Sequence, residues 1–353
     1  MEQILNSEQK LAVETKSKNV IVAAGAGSGK TRVITERLKY LIANGANPRN
    51  IYAITYTNNA AQEMRERVGN TEVFIGTIHS LANRILLING IDTSNFIEEE
   101  EFDELFSLIK EDSNVSLPVV DHLLIDEFQD ICENEYEFIM EDLSPENFFA
   151  CGDSCQSIYG FKGSNYKYFL RLVNDPLATV YELKSNYRCC REIIEYAEHF
   201  LSSLWDIYRI NSKCTRGDIG CVYELTNTPD AIPSILSGAN LKDWFILCRT
   251  NSEVNNTINL LNKNNIPNTT FKKADMTNEE INNVLNDNVV KVLTIHSAKG
   301  LESKNVIVVG AKNWNAEELR ICYVAATRAR DNLYWLKQPP KRKPKPERLM
   351  SWG

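Results

Sequence analysis

Lys30 and Thr31 close the run V-I-V-A-A-G-A-G-S-G-K-T (20–31), whose residue types suit one kind of chemistry. Small residues leave backbone N–H groups free to surround anionic oxygens, and the start of a following helix favours the same charge. A lysine in this place reaches the outer phosphates of a nucleotide, and the threonine hydroxyl ligates Mg²⁺. The phosphate-loop pattern G-x-x-x-x-G-K-[ST] has alanine, Ala24, at its first position here. A glycine-rich turn that merely joined a strand to a helix would not need the Lys-Thr pair. Ala24, Gly25, Ala26, Gly27, Ser28, Gly29, Lys30 and Thr31 are therefore read as a nucleoside triphosphate cradle. A second cluster follows about a hundred residues on, where the apolar run His122 to Ile125 delivers D-E-F-Q-D (126–130). Asp126 at such a strand end can hold Mg²⁺ together with Thr31, and Glu127 beside it can orient and deprotonate a water. An acidic helix cap would explain one carboxylate but not both.

The elements that must position these groups alternate in type. Val20–Ala24 reads as a strand and Val33, Ile34, Leu38, Leu41 and Ile42 as a helix face. Strands follow at Ile51–Thr55, Val73–Ile75, His122–Ile125 and Phe148–Gly152, with helices at Ala60–Val68 and Leu81–Ile88 between them. Glu98–Glu101 leads an amphipathic helix carrying Phe102, Leu105, Phe106 and Ile109, and its carboxylates read as a solvated face. Gln156 to Gly163 is a loop holding Tyr159, Phe161 and a lysine. This alternation predicts a parallel sheet covered on both faces. A second series begins near Val180: S-N-Y-R (185–188), a helix Arg191–Leu204, strands at Trp244–Cys248, Val289–Ile295 and Val306–Val309, and a helix Glu317–Arg330. It has no phosphate loop of its own. Its Arg188 and Arg328 stand where a partner domain supplies an arginine finger, although each alone reads more often as a surface or ion-pair residue and gains its weight from the set. Asn6 and Gln9 read either as a helix cap and a solvated amide or as an amide pair recognising adenine.

A chain of 353 residues is long enough for two domains with full cores. Its net charge of −8 argues against a generally basic nucleic-acid coat, so a polyanion must bind in a local groove. Only Lys337 to Arg348 is strongly basic. No apolar run approaches the roughly 18 residues of a membrane span, and the N-terminus lacks a signal-peptide core, so the expected location is cytoplasmic. The nine cysteines follow no zinc-type spacing and are read as free thiols.

Taken in order, nine stretches resemble the UvrD/Rep branch of superfamily-one DNA helicases. They are L-N-S-E-Q (5–9), A-G-A-G-S-G-K-T-R (24–32), T-Y-T-N-N-A-A-Q-E-M-R-E-R (55–67), G-T-I-H-S (76–80), L-I-D-E-F-Q-D (124–130), G-D-S-C-Q-S-I-Y-G-F-K-G (152–163), N-Y-R (186–188), T-I-H-S-A-K-G-L-E (294–302) and Y-V-A-A-T-R-A (323–329). That family carries alanine at the position of Ala24. The resemblance implies an α/β fold of two RecA-like domains, each a mostly parallel sheet flanked by helices. The expected spans are 1–179, with a short helical insert near 81–121, and 180–338, followed by a basic tail at 339–353. It implies ATP and Mg²⁺ between the domains, with Gln9 reading adenine, Tyr187 stacking on it and Arg32 nearby. Gln156 would sense the γ-phosphate, Arg188 and Arg328 would be fingers, and Glu302 would hold the ribose. Single-stranded DNA would contact Tyr56, Thr57, Asn58, Thr77, His79 and His296, with Tyr159 and Phe161 as stacking platforms. Phe161 stands where the family usually has tryptophan.

Departures from the family pattern set the functional expectation. Only 42 residues (81–122) separate Ser80 from Leu123, and only Pro267–Val292 precedes T-I-H-S-A-K-G-L-E, where the family places large subdomains. Past Arg328 the family continues into a hairpin at the duplex junction, and here a short segment precedes the basic tail. Asn59 replaces a usual lysine, and Ser303 a usual phenylalanine. The expected activity is 3′-to-5′ movement on single-stranded DNA with unwinding at single-strand/duplex junctions. A motor that needs a protein partner in place of the reduced subdomains is the alternative, and an inactive scaffold the remote one. Pathway and oligomeric state are left open.

Overall fold

Val20 to Ala24 is a run of apolar residues whose side chains alternate between two cores, because successive strand side chains point to opposite faces. In the computed structural model Val20, Val22 and Ala24 pack on one side of the strand and Ile21 and Ala23 on the other. Both faces of the sheet are therefore covered. The structure describes residues 4–98, 102–217, 220–272, 275–312 and 314–338. Glu99–Glu101 of the acidic run and the basic segment 339–353 lie outside them.

The first half holds strands β1 (Asn19–Ala24), β2 (Ile51–Ile54), β3 (Phe74–Gly76), β4 (His122–Ile125), β5 (Asn147–Gly152) and β6 (Thr179–Leu183). Its helices are α1 (Ser7–Glu14), α2 (Lys30–Ala43), α3 (Asn58–Val68), α4 (Ile78–Ile88), α5 (Ser94–Glu98), α6 (Glu104–Glu111), α7 (Glu133–Glu137) and α8 (Lys167–Val173). The six strands form one sheet in the order β3-β2-β4-β5-β1-β6, with every pairing parallel. β6 pairs with β1 from Thr179 to Leu183, so this sheet runs four residues past the expected junction at 179/180.

A two-stranded link, β7 (Ser185–Asn186) with β8 (Lys213–Cys214), leads into the second half. Its strands are β9 (Cys221–Thr226), β10 (Trp244–Cys248), β11 (Asn268–Thr269), β12 (Val290–Thr294), β13 (Ser303–Val309) and β14 (Ala329–Lys337). They form a second parallel sheet in the order β11-β12-β10-β13-β14-β9. Helices α9 (Arg191–Leu201), α10 (Ala231–Leu236), α11 (Asn251–Lys263), α12 (Asn278–Asn286) and α13 (Ala316–Ala326) flank it. Phe245 and Leu247 pack into one core, Trp244, Ile246 and Cys248 into another, repeating the two-faced burial of β1.

Two helices stop earlier than the sequence expectation, and Phe102 lies before α6 rather than on it. α9 stops at Leu201 rather than Leu204, with the Ser202 amide donating to the His199 carbonyl. α13 stops at Ala326 rather than Arg330. There the Thr327 hydroxyl donates to the carbonyls of Tyr323 and Val324, and Arg328 Nε donates to Val324, which satisfies the last turn's acceptors. Arg328 thus sits in the turn before β14, not on the helix.

Candidate nucleotide cleft and strand groove

The phosphate loop turns twice through the left-handed region, at Gly27 (φ 69°) and Gly29 (φ 87°). A Cβ on Gly27 would meet Arg188 Cβ at 2.6 Å, so the loop is pressed against the second half at that point. Asn186 fixes that contact: its Nδ2 donates to the Ala26 carbonyl (2.7 Å), and its Oδ1 accepts the amides of Arg188 and Cys189 (2.9 Å each). Lys30, almost buried, donates to the carbonyls of Ala24 (3.1 Å) and Gly25 (3.4 Å) of its own loop. Arg32 follows it in the first turn of α2.

Gln9 reaches the same loop from α1. Asn6 and Gln9 form a reciprocal capping box, and Gln9 Nε2 donates to the Ser28 carbonyl (3.0 Å). Asn6 Nδ2 donates to the Tyr187 hydroxyl (2.7 Å), and Tyr187 is half-exposed beside the loop. The cap and the contact with the loop are thus both present in one amide pair.

The Thr31 hydroxyl donates to Asp126 Oδ2 at 2.7 Å, which places two oxygen donors together at the helix start. Hard oxygens of this kind fit Mg²⁺, which takes one or two protein ligands and keeps phosphate oxygens and water for the rest. Glu127 adopts φ 55°, a strained conformation for a residue with a Cβ. That turn is over-determined: the Glu127 amide donates to Asp126 Oδ1 (3.0 Å), and Gln129 Nε2 donates to Glu127 Oε2 (2.6 Å). Burial, and then the neighbouring Glu127 charge, pushes the Asp126 carboxyl up. Burial acts on Glu127 in the same sense, but the charges of Lys30 and Lys299 outweigh it and keep Glu127 ionised.

From the second half, Arg328 enters fully buried; its Nη2 lies 3.4 Å from Gln156 Oε1 and its Nη1 donates to the Leu301 carbonyl. Burial and then the Arg188 charge lower its pKa to about 10, so it remains cationic near neutrality. Gln156 Nε2 is held by Asp153 Oδ2 (2.6 Å). Arg188 pairs with Glu302, whose other oxygen lies 3.6 Å from Arg330. The Glu302 carboxylate is thus shared between two arginines.

A groove of about 1390 Å³ runs from Thr31, Asp126 and Glu127 out along the seam between the halves. The N-termini of α3 and α4 open onto it. Thr57 and Thr77 cap these helices by accepting the amides of Ala60 and Ser80 (3.2 Å each), and each hydroxyl keeps a proton to donate. Tyr56 stacks on Tyr159 with centroids 5.2 Å apart, and the Lys299 ammonium lies 4.7 Å from the Tyr159 centroid. Phe161, two-thirds exposed, is the ring of this set most open to solvent. His296 stands edge-on to Phe161 at 5.4 Å; burial holds its imidazole neutral, and its Nε2 is buried without a partner. His79 lies between Phe102 and Phe106, with Nε2 3.9 Å from Glu135. Asn58 lines the groove, and Asn59 spans it, donating to the Met276 carbonyl (2.8 Å) while its own carbonyl accepts from Asn278 (3.0 Å).

Sequence reasoning assigned nothing to Asp130 or Lys299, the buried pair that joins the halves behind the groove. Their signal was present, since both lie inside the quoted stretches 124–130 and 294–302, but spacing alone does not show that two distant charges meet.

Two parallel sheets with a phosphate loop at one edge of the seam and arginines at the other define a P-loop nucleoside triphosphatase with two RecA-like lobes. The profile of the UvrD/REP helicase N-terminal domain matches residues 5–118 and 114–176, and that of the UvrD-like helicase C-terminal domain matches 270–338. The chain belongs to the UvrD/REP helicase family. It is similar to a probable DNA helicase of Mycoplasma pneumoniae, 26% identical over 94% of this chain and 82% of that protein. It is also similar to the ATP-dependent DNA helicases PcrA of Leuconostoc citreum (27% identical; 74% of this chain, 49% of the relative) and of Bacillus subtilis (28%; 70% and 48%). The chain spans about half the length of those PcrA relatives. Among the described residues no helix is long and apolar enough to cross a membrane.

Proposed function

We propose that the chain is an ATP-driven motor that moves 3′-to-5′ along single-stranded DNA and separates duplex at a junction. The observation that carries this reading is the continuity of one cleft: Thr31, Asp126 and Glu127 line the same groove as Tyr56, Phe161 and His296. Hydrolysis and strand handling are therefore neighbours across the lobe seam. The loop amides from Gly25 to Gly29 hold the phosphates, Lys30 turns from its own carbonyls to the outer ones, and Gln9 and Tyr187 hold the base. Thr31 and Asp126 would hold Mg²⁺, which would supply positive charge to the phosphates. Glu127 orients the attacking water and takes its proton, Gln156 senses the γ-phosphate, and Arg188 and Arg328 stabilise the transferred group from the second lobe. Because Glu302 pairs with Arg188, binding of a triphosphate exchanges that arginine's partner for phosphate and leaves the carboxylate, still beside Arg330, to take the ribose.

Thr57, Asn58, Thr77 and His79 offer hydrogen-bond donors to the strand's phosphates, and Phe161 offers a face to its bases, which suits binding without sequence preference. The decisive experiment is ATP hydrolysis with and without single-stranded DNA beside displacement of a duplex bearing a 3′ tail. Stimulation with displacement supports the proposal, and absence of stimulation overturns it. A specific observation favours a second reading, a translocase that unwinds only with a partner. Among the described residues only the short helices α5 and α6 stand between α4 and β4, and only α12 between β11 and β12, so little of the described protein is placed to part a duplex. Stimulated hydrolysis without displacement would select it.

A further inference from the structure

Lys299 and Asp130 form the most deeply buried ion pair among the described residues; Lys299 comes from the turn after β12 and Asp130 from the turn after β4. Removing two charges from water costs several kcal/mol per ion, and close geometry plus further hydrogen bonds must offset it. Those bonds are only partly present: Lys299 Nζ donates to Asp130 Oδ2 and to the Gln156 carbonyl (2.8 Å), and the Ser164 hydroxyl holds the Asp130 main-chain carbonyl (2.6 Å), while Asp130 Oδ1 is buried without a partner. Replacing such pairs by apolar residues is often neutral for stability, so stability alone does not account for one placed across a seam.

The position of the pair points to another use. Toward the cleft, Gln129 Nε2 lies 3.5 Å from Asp130 Oδ2 and 2.6 Å from Glu127 Oε2, and Gln129 Oε1 accepts the Asp153 amide (2.9 Å). Toward the groove, the Lys299 ammonium lies over the Tyr159 ring, on which Tyr56 stacks. Three residues before Lys299, His296 touches Phe161 and its carbonyl accepts from the Tyr159 hydroxyl (3.4 Å). One ammonium therefore contacts the turn that holds Glu127, the backbone of Gln156 and the aromatic floor of the groove, and it belongs to the lobe that carries neither Glu127 nor Gln156.

We propose that Lys299, seated on Asp130, is a positioning residue that links strand occupancy to hydrolysis. When a strand fills the groove against Phe161 and Tyr159, Lys299 and Asp130 move together, and Gln129 carries the displacement to Glu127. This rests on the strand-dependent ATPase reading above. Coupling between two binding sites is reciprocal, so it can be read from either side.

The test uses the full chain, a non-hydrolysable ATP analogue and an oligodeoxythymidylate. The factor by which the oligonucleotide changes analogue affinity is measured for wild type, Lys299→Met, Asp130→Asn and the double variant, together with kcat and KM for ATP at saturating oligonucleotide. The expected result is a factor within about twofold of one in all three variants. The oligonucleotide-stimulated kcat should fall at least about tenfold, while KM for ATP moves by less than about threefold. A residue that merely held the fold would move thermal stability and both constants together. Each single variant leaves one buried charge alone, so the double variant, which leaves none, decides if a single one fails to fold. Retention of the wild-type factor and kcat in Lys299→Met, or their return in the double variant, overturns the coupling role. If wild-type hydrolysis ignores the oligonucleotide altogether, the strand-dependent reading falls and takes this one with it. Stimulation that survives in the variants removes the coupling role alone.

Discussion

Glu127 holds a backbone conformation that an L-residue adopts at a cost of about 1–3 kcal/mol, in a turn built of its neighbours' hydrogen bonds. The side chain, not the backbone, is what the proposed chemistry uses, so Glu127→Gln should keep the turn. ATP binding is expected to persist and turnover to fall by about 10²–10⁴-fold, the contribution of a placed general base. Phosphate release beside nucleotide-binding measurements checks this; unchanged turnover would remove Glu127 from the mechanism. Phe161 is the most exposed ring of the groove, and a base stacked on an aromatic side chain is worth about 1–3 kcal/mol. Phe161→Ala should therefore weaken oligodeoxythymidylate binding by roughly 5- to 150-fold, and Phe161→Trp should hold or tighten it, as read by fluorescence anisotropy. If Phe161→Ala binds as wild type does, the strand does not run over this face. Gly27→Ala meets both a left-handed φ and a contact at 2.6 Å with Arg188 Cβ. Its expected effect is a raised KM for ATP with little loss of first-lobe stability.

At the scale of elements, α1 matters because it carries Gln9, and Arg37 of α2 fastens it. Arg37 Nη1 donates to the carbonyls of Val13 and Thr15 (2.7 Å each) at the end of α1. Arg37→Met would leave those acceptors unpaired at about 1–3 kcal/mol, lowering Tm by roughly 2–12 °C. Discrimination between ATP and CTP should fall with it, measured as the ratio of their kcat/KM values. An unaltered ratio would mean that Gln9 does not depend on this anchor. The sequence made the strand–loop–helix of β1 and α2 legible because an apolar run, a glycine loop and a periodic helix face follow one another without interruption. β4 with Asp126 and Glu127 was legible for the same reason. The end of α13 was not: Thr327 and Arg328 continue a helical pattern in type, and only their bonds back to Tyr323 and Val324 show that they terminate it. β14, which runs from Ala329 to Lys337, was hidden because Arg330, Asp331 and Asn332 read as polar continuation rather than as the start of a strand. The Lys299–Asp130 pair was invisible for a different reason, since sequence spacing carries no information on which distant turns meet.

At the scale of the whole molecule, the groove's charge decides how DNA binding should respond to salt. Its lining carries Lys162, Lys272 and Lys299 against Glu63, Asp103, Asp126, Glu127, Asp130, Glu133 and Glu135, and Lys299 is already paired. Among the described lining residues that leaves Lys162 and Lys272 to meet phosphates, and two ammonium groups release few counterions. With residues after Gln338 removed, log K for single-stranded DNA should fall with log salt at a slope of only about −1.4, taking about −0.7 per phosphate neutralised. Titrations at several salt concentrations test this; a slope beyond about −4 would place phosphates on a surface other than the groove. A steeper slope in the full chain than in the shortened one would assign the surplus to the basic segment.

The order of strands in the first sheet has a consequence for how the molecule is made. β1, which bears the phosphate loop, sits between β5 and β6, and no strand synthesised before Asn147 pairs with it. At about 5–20 residues per second a ribosome takes on the order of ten seconds to pass from β1 to β6. Until β5 is made Val20 to Ala24 is an apolar strand with both edges unpaired, and until β6 is made it keeps one open edge, the kind of segment that recruits strands from other chains. Nascent chains arrested before Thr179 should therefore be sticky and protease-sensitive, and those arrested far enough past Leu183 for β6 to clear the ribosome should become resistant in one step.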